Sequence, residues 1–294
     1  LEPWIVMDAS QNWKGGLNTS GGAFRHLFGI DLTIETEPFV GLKGGTFFLQ
    51  YYTHNGPNAT EEDVGDFQVF SNIDADGRSQ IAELWYEQRL LENRLRIKVG
   101  KLDANSEFDA VDYGSEFIHS SAGFTPTMLS FPTYPDPAMS INVFAYPTDW
   151  FYVGAGLYDG ALQSGIFTGS RGPKTLIGEP NDLFWIVETG ATWHLYENTL
   201  NGRAAVGGWY HSGTFDRFDG DTQNGTEGFY SLVEQTLWRE QPVDEEDHQG
   251  IGAFMMYGHA DDDVADADHH VGVGLTWTGA LPDRDDDVLG IGAN

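Results

Sequence analysis

The chain has 294 residues, with 45 Asp and Glu against 15 Lys and Arg and a formal net charge of −30. An acidic balance of that size excludes a general role in gripping nucleic acid phosphates. The absence of cysteine excludes disulfides, thiolate catalysis and cysteine-based zinc sites. No apolar run reaches the roughly 18 residues of a membrane helix, which excludes helical membrane proteins but not strands that cross with alternating side chains. The N-terminal "LEPWIVMDAS" shows no signal peptide, so a leader has been removed or the sequence begins inside a longer chain.

Period-two patterns predict strands at residues 3–15, 23–37, 44–55, 80–91 and 94–103, then 140–146, 150–160, 183–195 and 203–215. Further strands follow at 227–238, 249–260 and 269–281, and another starts near 286. In "WFYVGAGLYDG", Phe151, Val153, Ala155 and Leu157 share one face. In "GRAAVGGWYHSG" and "GIGAFMMYGHA", glycine is interspersed with apolar and aromatic residues, as on a curved sheet where some inward positions must be small. Helix periodicity is weak throughout, so the chain reads as all-β.

The segment "LWYEQRLLENRLRIKVGKLDAN", Leu84–Asn105, shows the alternation with most force. Read as a hairpin turning at Glu92-Asn93, it pairs Glu87 with Lys98, Gln88 with Ile97, Arg89 with Arg96 and Leu90 with Leu95. One face then carries Glu83, Trp85, Glu87, Arg89, Arg96 and Lys98. The other carries Leu84, Tyr86, Leu90, Leu95, Ile97 and Val99, with Gln88 its polar exception. The opposed Glu87 and Lys98 favour this register, whereas the opposed Arg89 and Arg96 cost something unless function or Glu87 compensates.

From the third strand onward the connections alternate between long (56–79, 104–139, 161–182) and short ("EN", "PTD", "YENTLNG"), with an intermediate 216–226. The first two connections fit this less well. Long loops on one side and tight turns on the other characterise transmembrane up-and-down barrels, and most predicted strands reach the roughly 9–11 residues that a tilted span needs. Trp4, Trp13, Trp85, Tyr146, Trp150, Tyr152, Trp193, Tyr196, Trp209, Tyr210 and Trp238 fall near strand ends, which predicts aromatic girdles.

"GGTFFLQYYTHNG", "GDFQVFSNIDA", "LWYEQRLLENRLRIKVGKLDANSEFD", "DYGSEFIHSSAGF" and "FPTYPDPAMSINVFAYPTDWFYVGAGLYDG" occur in that order. Together they resemble the carbohydrate-selective porins of the OprB family, specifically from about Trp13 to Gly160 and more weakly beyond Leu183. The resemblance implies one domain over residues 1–294, a transmembrane antiparallel up-and-down β-barrel of about sixteen strands in the bacterial outer membrane. Such a barrel passes sugars by passive diffusion. About twelve strands and the start of another are present here, so the expectation is a chain lacking its closing C-terminal strands, with a smaller complete barrel as the alternative.

In such a barrel the charged face of the hairpin lines the lumen, and Glu83, Trp85, Glu87, Arg89, Arg96 and Lys98 become the candidate sugar path. Arg offers a rigid fork of donors, Glu accepts, and Trp85 can stack on a sugar ring. Loop 104–139 is too long for an inert link; its Phe117, Ile118, Phe124, Met128, Leu129 and Phe131 predict packing, either on the inner wall, where it would narrow the pore, or as an external cap over the barrel rim.

"DANSEFD" sets Asp103, Asn105, Glu107 and Asp109 at alternate positions, a weak calcium-loop pattern because Phe108 stands where a calcium loop needs glycine. "HADDDVADADHH" could bind divalent cations near a charged lipid surface, but reads first as a solvated acidic loop. GxSxG and HExxH are missing, so the chain is read as no enzyme. The expected partners are sugars and outer-membrane lipids, with no nucleic acid, no cofactor beyond that weak calcium candidate, and a homo-oligomer as an open possibility. Alternative readings are a general or anion-preferring porin and, from another class, a soluble secreted carbohydrate-binding β-protein.

Overall fold

The computed structural model describes residues 1–167, 178–196, 199–241 and 247–294. Parts of the predicted connections 161–182 and "YENTLNG", and most of the acidic "PVDEEDH", lie outside the described residues. The strands are β1 (Glu2–Gln11), β2 (Gly22–Glu35), β3 (Gly45–Asn55), β4 (Arg78–Leu90), β5 (Leu95–Leu102), β6 (Ala138–Thr148) and β7 (Phe151–Asp159). They continue with β8 (Leu183–Leu195), β9 (Leu200–Asp216), β10 (Thr222–Arg239), β11 (Gly250–Ala260), β12 (His269–Thr278) and β13 (Val288–Ala293). All belong to one 13-stranded sheet in strict sequence order. Each pairs antiparallel with the next, the up-and-down topology that the alternating patterns predict. Among the described residues, β1 and β13 are the sheet edges.

The connection read as 216–226 is shorter than predicted. β9 runs to Asp216 and β10 starts at Thr222, because the polar run Thr222–Asn224 still pairs with Thr214–Asp216 before a bulge at Asn224/Thr226. Residues 12–21, the first connection, join the same end of the sheet as the long loops.

From β2 to β12 the strands separate a buried from an exposed face. Leu84, Val99, Ile141, Val153, Val187, Val206, Phe229, Met255, Val273 and Leu275 form an exposed apolar band on one face. Much of the opposite face is buried by the loop of residues 103–137. That loop reaches β3, where the Tyr52 hydroxyl donates to the Pro135 carbonyl at 2.8 Å. It also reaches β13, where a Cβ built on Gly290 or Gly292 would lie 3.0 Å from the Phe117 ring. One loop touches strands so far apart in the sheet only if the sheet curls around it, so this is the inner face. Phe108, Val111, Met128 and Phe131 of the loop form one core with Phe144, Tyr158, Phe184, Trp209, Tyr230 and Phe254 of the wall. Burying apolar side chains of this size contributes about 1.5–3 kcal/mol each.

Inner-face glycines have two uses. Some face an aromatic residue directly across the ladder, as in Trp4–Gly29, Phe144–Gly154, Tyr152–Gly190, Tyr230–Gly207 and Phe254–Gly274. In each the ring lies over the glycine, and a built Cβ would fall 2.1–2.4 Å from it. Others seat the loop: Gly252 lies under Tyr113, and Gly258 under Thr125 and Thr127. This corrects part of the girdle prediction. Trp4, Trp85, Tyr146, Tyr152 and Trp209 turn inward to pack on the wall or the core, while Trp13, Trp150, Tyr196, Tyr210 and Trp238 are exposed.

No helix among the described residues is long and apolar enough to cross a membrane, which says nothing of crossing by strands. The Tyr230 ring fills the space that a side chain on Gly207 would need. Gly207→Val is therefore expected to cost about 1–3 kcal/mol, the usual range for overpacking. The measurement is the urea midpoint of folding in lipid vesicles, with the outward-facing Val206→Leu expected to stay near wild type.

Candidate functional site

β4 and β5 pair in the predicted register, with Glu87 opposite Lys98, Arg89 opposite Arg96 and Leu90 opposite Leu95. Leu91, Glu92 and Asn93 turn the chain with φ of 53°, 54° and 67°, and the Arg94 amide donates to the Leu91 carbonyl at 3.1 Å. Three successive residues in the left-handed region give a tight four-residue turn, which holds the two strands in register.

The like charges at Arg89 and Arg96 are held by carboxylates from two elements. Glu87 Oε1 lies 2.8 Å from Arg89 Nε, and its Oε2 lies 3.6 Å from Arg96 Nη1 and 3.7 Å from Lys98 Nζ. Glu107, from the inner loop, is bound by Arg96 Nη2 and stands 2.5 Å from Lys98 Nζ. Aromatic faces complete the cluster. The Arg96 guanidinium lies 4.4 Å from the Phe144 centroid, and Lys98 Nζ lies 4.0 Å from that of Trp85. Trp85 stacks on Phe48 at 4.9 Å, and its indole N–H donates to Glu83 at 3.2 Å.

Exposure sorts these side chains. Arg89 is 51 % exposed and Arg96 18 %, whereas Lys98, Glu87 and Glu107 are at 9 %, 7 % and 2 %. Arg89 therefore keeps much of its guanidinium open, Arg96 far less with its Nε buried, and the buried charges hold both in place. Leaving any member of such a buried set unpaired is strongly unfavourable, so the geometry is fixed as a unit.

The model of the carbohydrate-selective porin, OprB family, matches residues 21–294. The chain belongs to this family. It is a bacterial outer-membrane channel protein, and it is not an enzyme. The porin is 23 % identical to Porin B of Pseudomonas aeruginosa over 315 aligned positions, covering 98 % of this chain and 67 % of that protein. Its fold is similar to the high-pH structure of Pseudomonas putida OprB at 16 % identity, with TM-score 0.83 over 99 % of this chain and 73 % of that one. The low-pH structure of the same protein matches with TM-score 0.55 at 13 % identity, over 92 % of this chain and 69 % of that one.

The porin has a second polar cluster that sequence reasoning missed, where the loop meets the far wall. Glu188 of β8 accepts from the Tyr152 hydroxyl at 2.6 Å, the Tyr230 hydroxyl at 2.8 Å and the Asp109 amide at 3.0 Å. Glu234 of β10 accepts from the Tyr113 amide at 2.9 Å, and Arg203 donates to the Ala110 carbonyl at 2.8 Å. The available signal was a lone carboxylate at an inward position of otherwise apolar strands, "LFWIVETG" and "FYSLVEQ".

Asp103, Asn105, Glu107 and Asp109 are not brought together as a calcium loop. Asp103 accepts from the Asn105 and Tyr134 amides at 2.9 and 3.1 Å, and the Asn105 side chain donates to the Asp109 carbonyl at 3.1 Å. Glu107 belongs to the arginine cluster, and Asp109 accepts from the Thr125 amide at 2.6 Å. Asp103, Asn105 and Asp109 thus serve the loop's own fold, and Glu107 ties the loop to the wall. In the acidic loop, Asp261, Asp262 and Asp263 do lie within 4.8 Å of one another; Asp263 is 2.9 Å from Arg217, and the Gln223 side chain donates to Asp261 at 2.7 Å.

Burial pushes the Asp109 carboxyl well above the usual carboxylate range, and the negative Glu188 nearby adds to this. A raised folded-state value means that protonation favours the fold. The contribution is fully present below the unfolded value of about 3.9 and is lost as pH rises through the folded one. Asp109→Asn fixes the neutral form, and its φ of 50° suits asparagine. The variant is expected to be more stable than wild type at neutral pH, with the difference vanishing in acid, as read from urea midpoints across pH.

Proposed function

We propose that monosaccharides such as glucose diffuse passively through this porin along the charged face of the β4–β5 hairpin, with Arg89 and Arg96 as the contacting groups. The observation that carries this is the partial exposure of those two guanidinium groups over a buried layer of Glu87, Lys98 and Glu107. A planar fork of donors suits adjacent sugar hydroxyls. Lys98 and Glu83 sit behind this surface and orient it. Loop 103–137 narrows the passage, so that a solute passes the arginines in contact rather than at a distance. Contacts this few are weak enough to release the solute, which conduction requires. The outward apolar band meets the lipid hydrocarbon.

A second reading is an anion-preferring small-solute pore, favoured by three cations gathered around two carboxylates in this cluster. Planar-bilayer conductance titrated with glucose tests the first reading, and the reversal potential in a salt gradient tests the second. Glucose is expected to reduce wild-type current, and Arg96→Gln or Arg89→Gln to raise the half-blocking concentration about 3–10-fold, the worth of roughly one hydrogen bond. Current indifferent to sugars but strongly anion-selective would select the second reading.

A further inference from the structure

Arg25 lies on the inner face of β2 and is fully buried, so it cannot touch a solute. Its Nε stands 2.6 Å from Asp8 on β1 and 2.8 Å from Asp74 in the loop of residues 56–77. Its Nη2 donates to Ser10 Oγ at 3.0 Å, and the guanidinium lies 5.3 Å from the Phe70 centroid. The Ser71 hydroxyl donates to the other oxygen of Asp8. Asp74 accepts in turn from the Thr60 amide at 3.2 Å and the Thr60 hydroxyl at 2.6 Å, which ties the loop to itself. Loop 56–77 is thus fixed to the wall at Phe70, Ser71 and Asp74.

The same short stretch holds the inner loop. The Asn72 amide donates to the Ile118 carbonyl at 2.8 Å, the Ser120 amide to the Val69 carbonyl at 3.2 Å, and the Tyr134 hydroxyl to the Ile73 carbonyl at 3.0 Å. The Ser121 hydroxyl donates to Gln68 at 2.6 Å, and His119 meets Asp66 at 3.1 Å. Contacts therefore run without a break from the β1–β2 wall, through Arg25 and loop 56–77, to the loop that presents Glu107 to Arg96 and Lys98. For stability alone, apolar packing would serve this position as well as a buried ion triad. What the triad adds is a single permitted arrangement, because any other leaves a charge unpaired.

We propose that Arg25 is a positioning residue that sets the bore of the pore, by locking loop 56–77 and through it the narrowing loop 103–137. This rests on the reading of that loop given above. Asp74→Asn cuts the lock while keeping the Arg25–Asp8 pair within the wall, and Ser71→Ala is a milder cut. The full chain is measured in planar bilayers at about 1 M KCl, where the screening length is about 3 Å and conductance reports geometry rather than fixed charge. In parallel, limited proteolysis of the folded protein in vesicles follows cleavage within residues 56–77.

Asp74→Asn is expected to raise conductance by about 1.5-fold or more, speed cleavage in that loop and weaken glucose block, since a released loop no longer confines the solute. The charge exchange Arg25→Asp with Asp74→Arg is expected to restore wild-type values. Wild-type conductance and cleavage in folded Asp74→Asn and Ser71→Ala would overturn the proposal, as would an exchange that behaves no better than Asp74→Asn alone. If wild type shows no glucose block while Asp74→Asn still shifts conductance and cleavage, the sugar reading falls and the role of Arg25 stands.

Discussion

A strand that forms part of a membrane wall has no freedom of register. A slip of one residue would carry every inward charge to the apolar face, at about 2–4 kcal/mol for each Arg or Lys at mid-membrane. This two-residue constraint runs through all of the paired strands and decides what else can be built. It leaves one side for an unbroken apolar band and the other for everything that must be polar, bulky or specific. The loops then have one place in which to bury their aromatic residues, the inner face, and that face must supply both packing and charge.

The inner face divides the two tasks between its regions. Toward β6–β11 it gives the loop an aromatic core, pinned at Glu188 and Glu234. Toward β4 and β5 it gives a charge cluster that is complete only when Glu107 arrives from the same loop. The charge cluster depends on the loop for its balance. Arg96 and Lys98 without Glu107 would share one carboxylate with Arg89, and Glu107 without them would be a buried charge in a mostly apolar loop. Packing on one side of the loop and ion pairing on the other therefore hold it between them.

The wall was legible in the sequence, because a period of two survives without knowledge of any partner. The pairing of Glu87 with Lys98 could be read directly, since a tight turn and one charge pair leave few alternatives. What escaped were contacts between residues distant in sequence. Glu107 reads as a calcium-loop ligand when only its neighbours are considered, and nothing beside Arg25 in the sequence points to Asp74. The inward turn of Trp209 and Tyr152 escaped for a similar reason. An aromatic residue near a strand end looks alike on either face until the glycine across the ladder is known.

The pairing of each inner ring with a glycine on the next strand has a consequence for how such a wall can change over time. The two positions share one volume, so neither is free to vary by itself. A larger residue in place of Gly154 or Gly207 is admissible only if Phe144 or Tyr230 shrinks in the same lineage. The cross-strand pair, rather than the single residue, is then the unit of inheritance on this face, while the outward band can drift one side chain at a time.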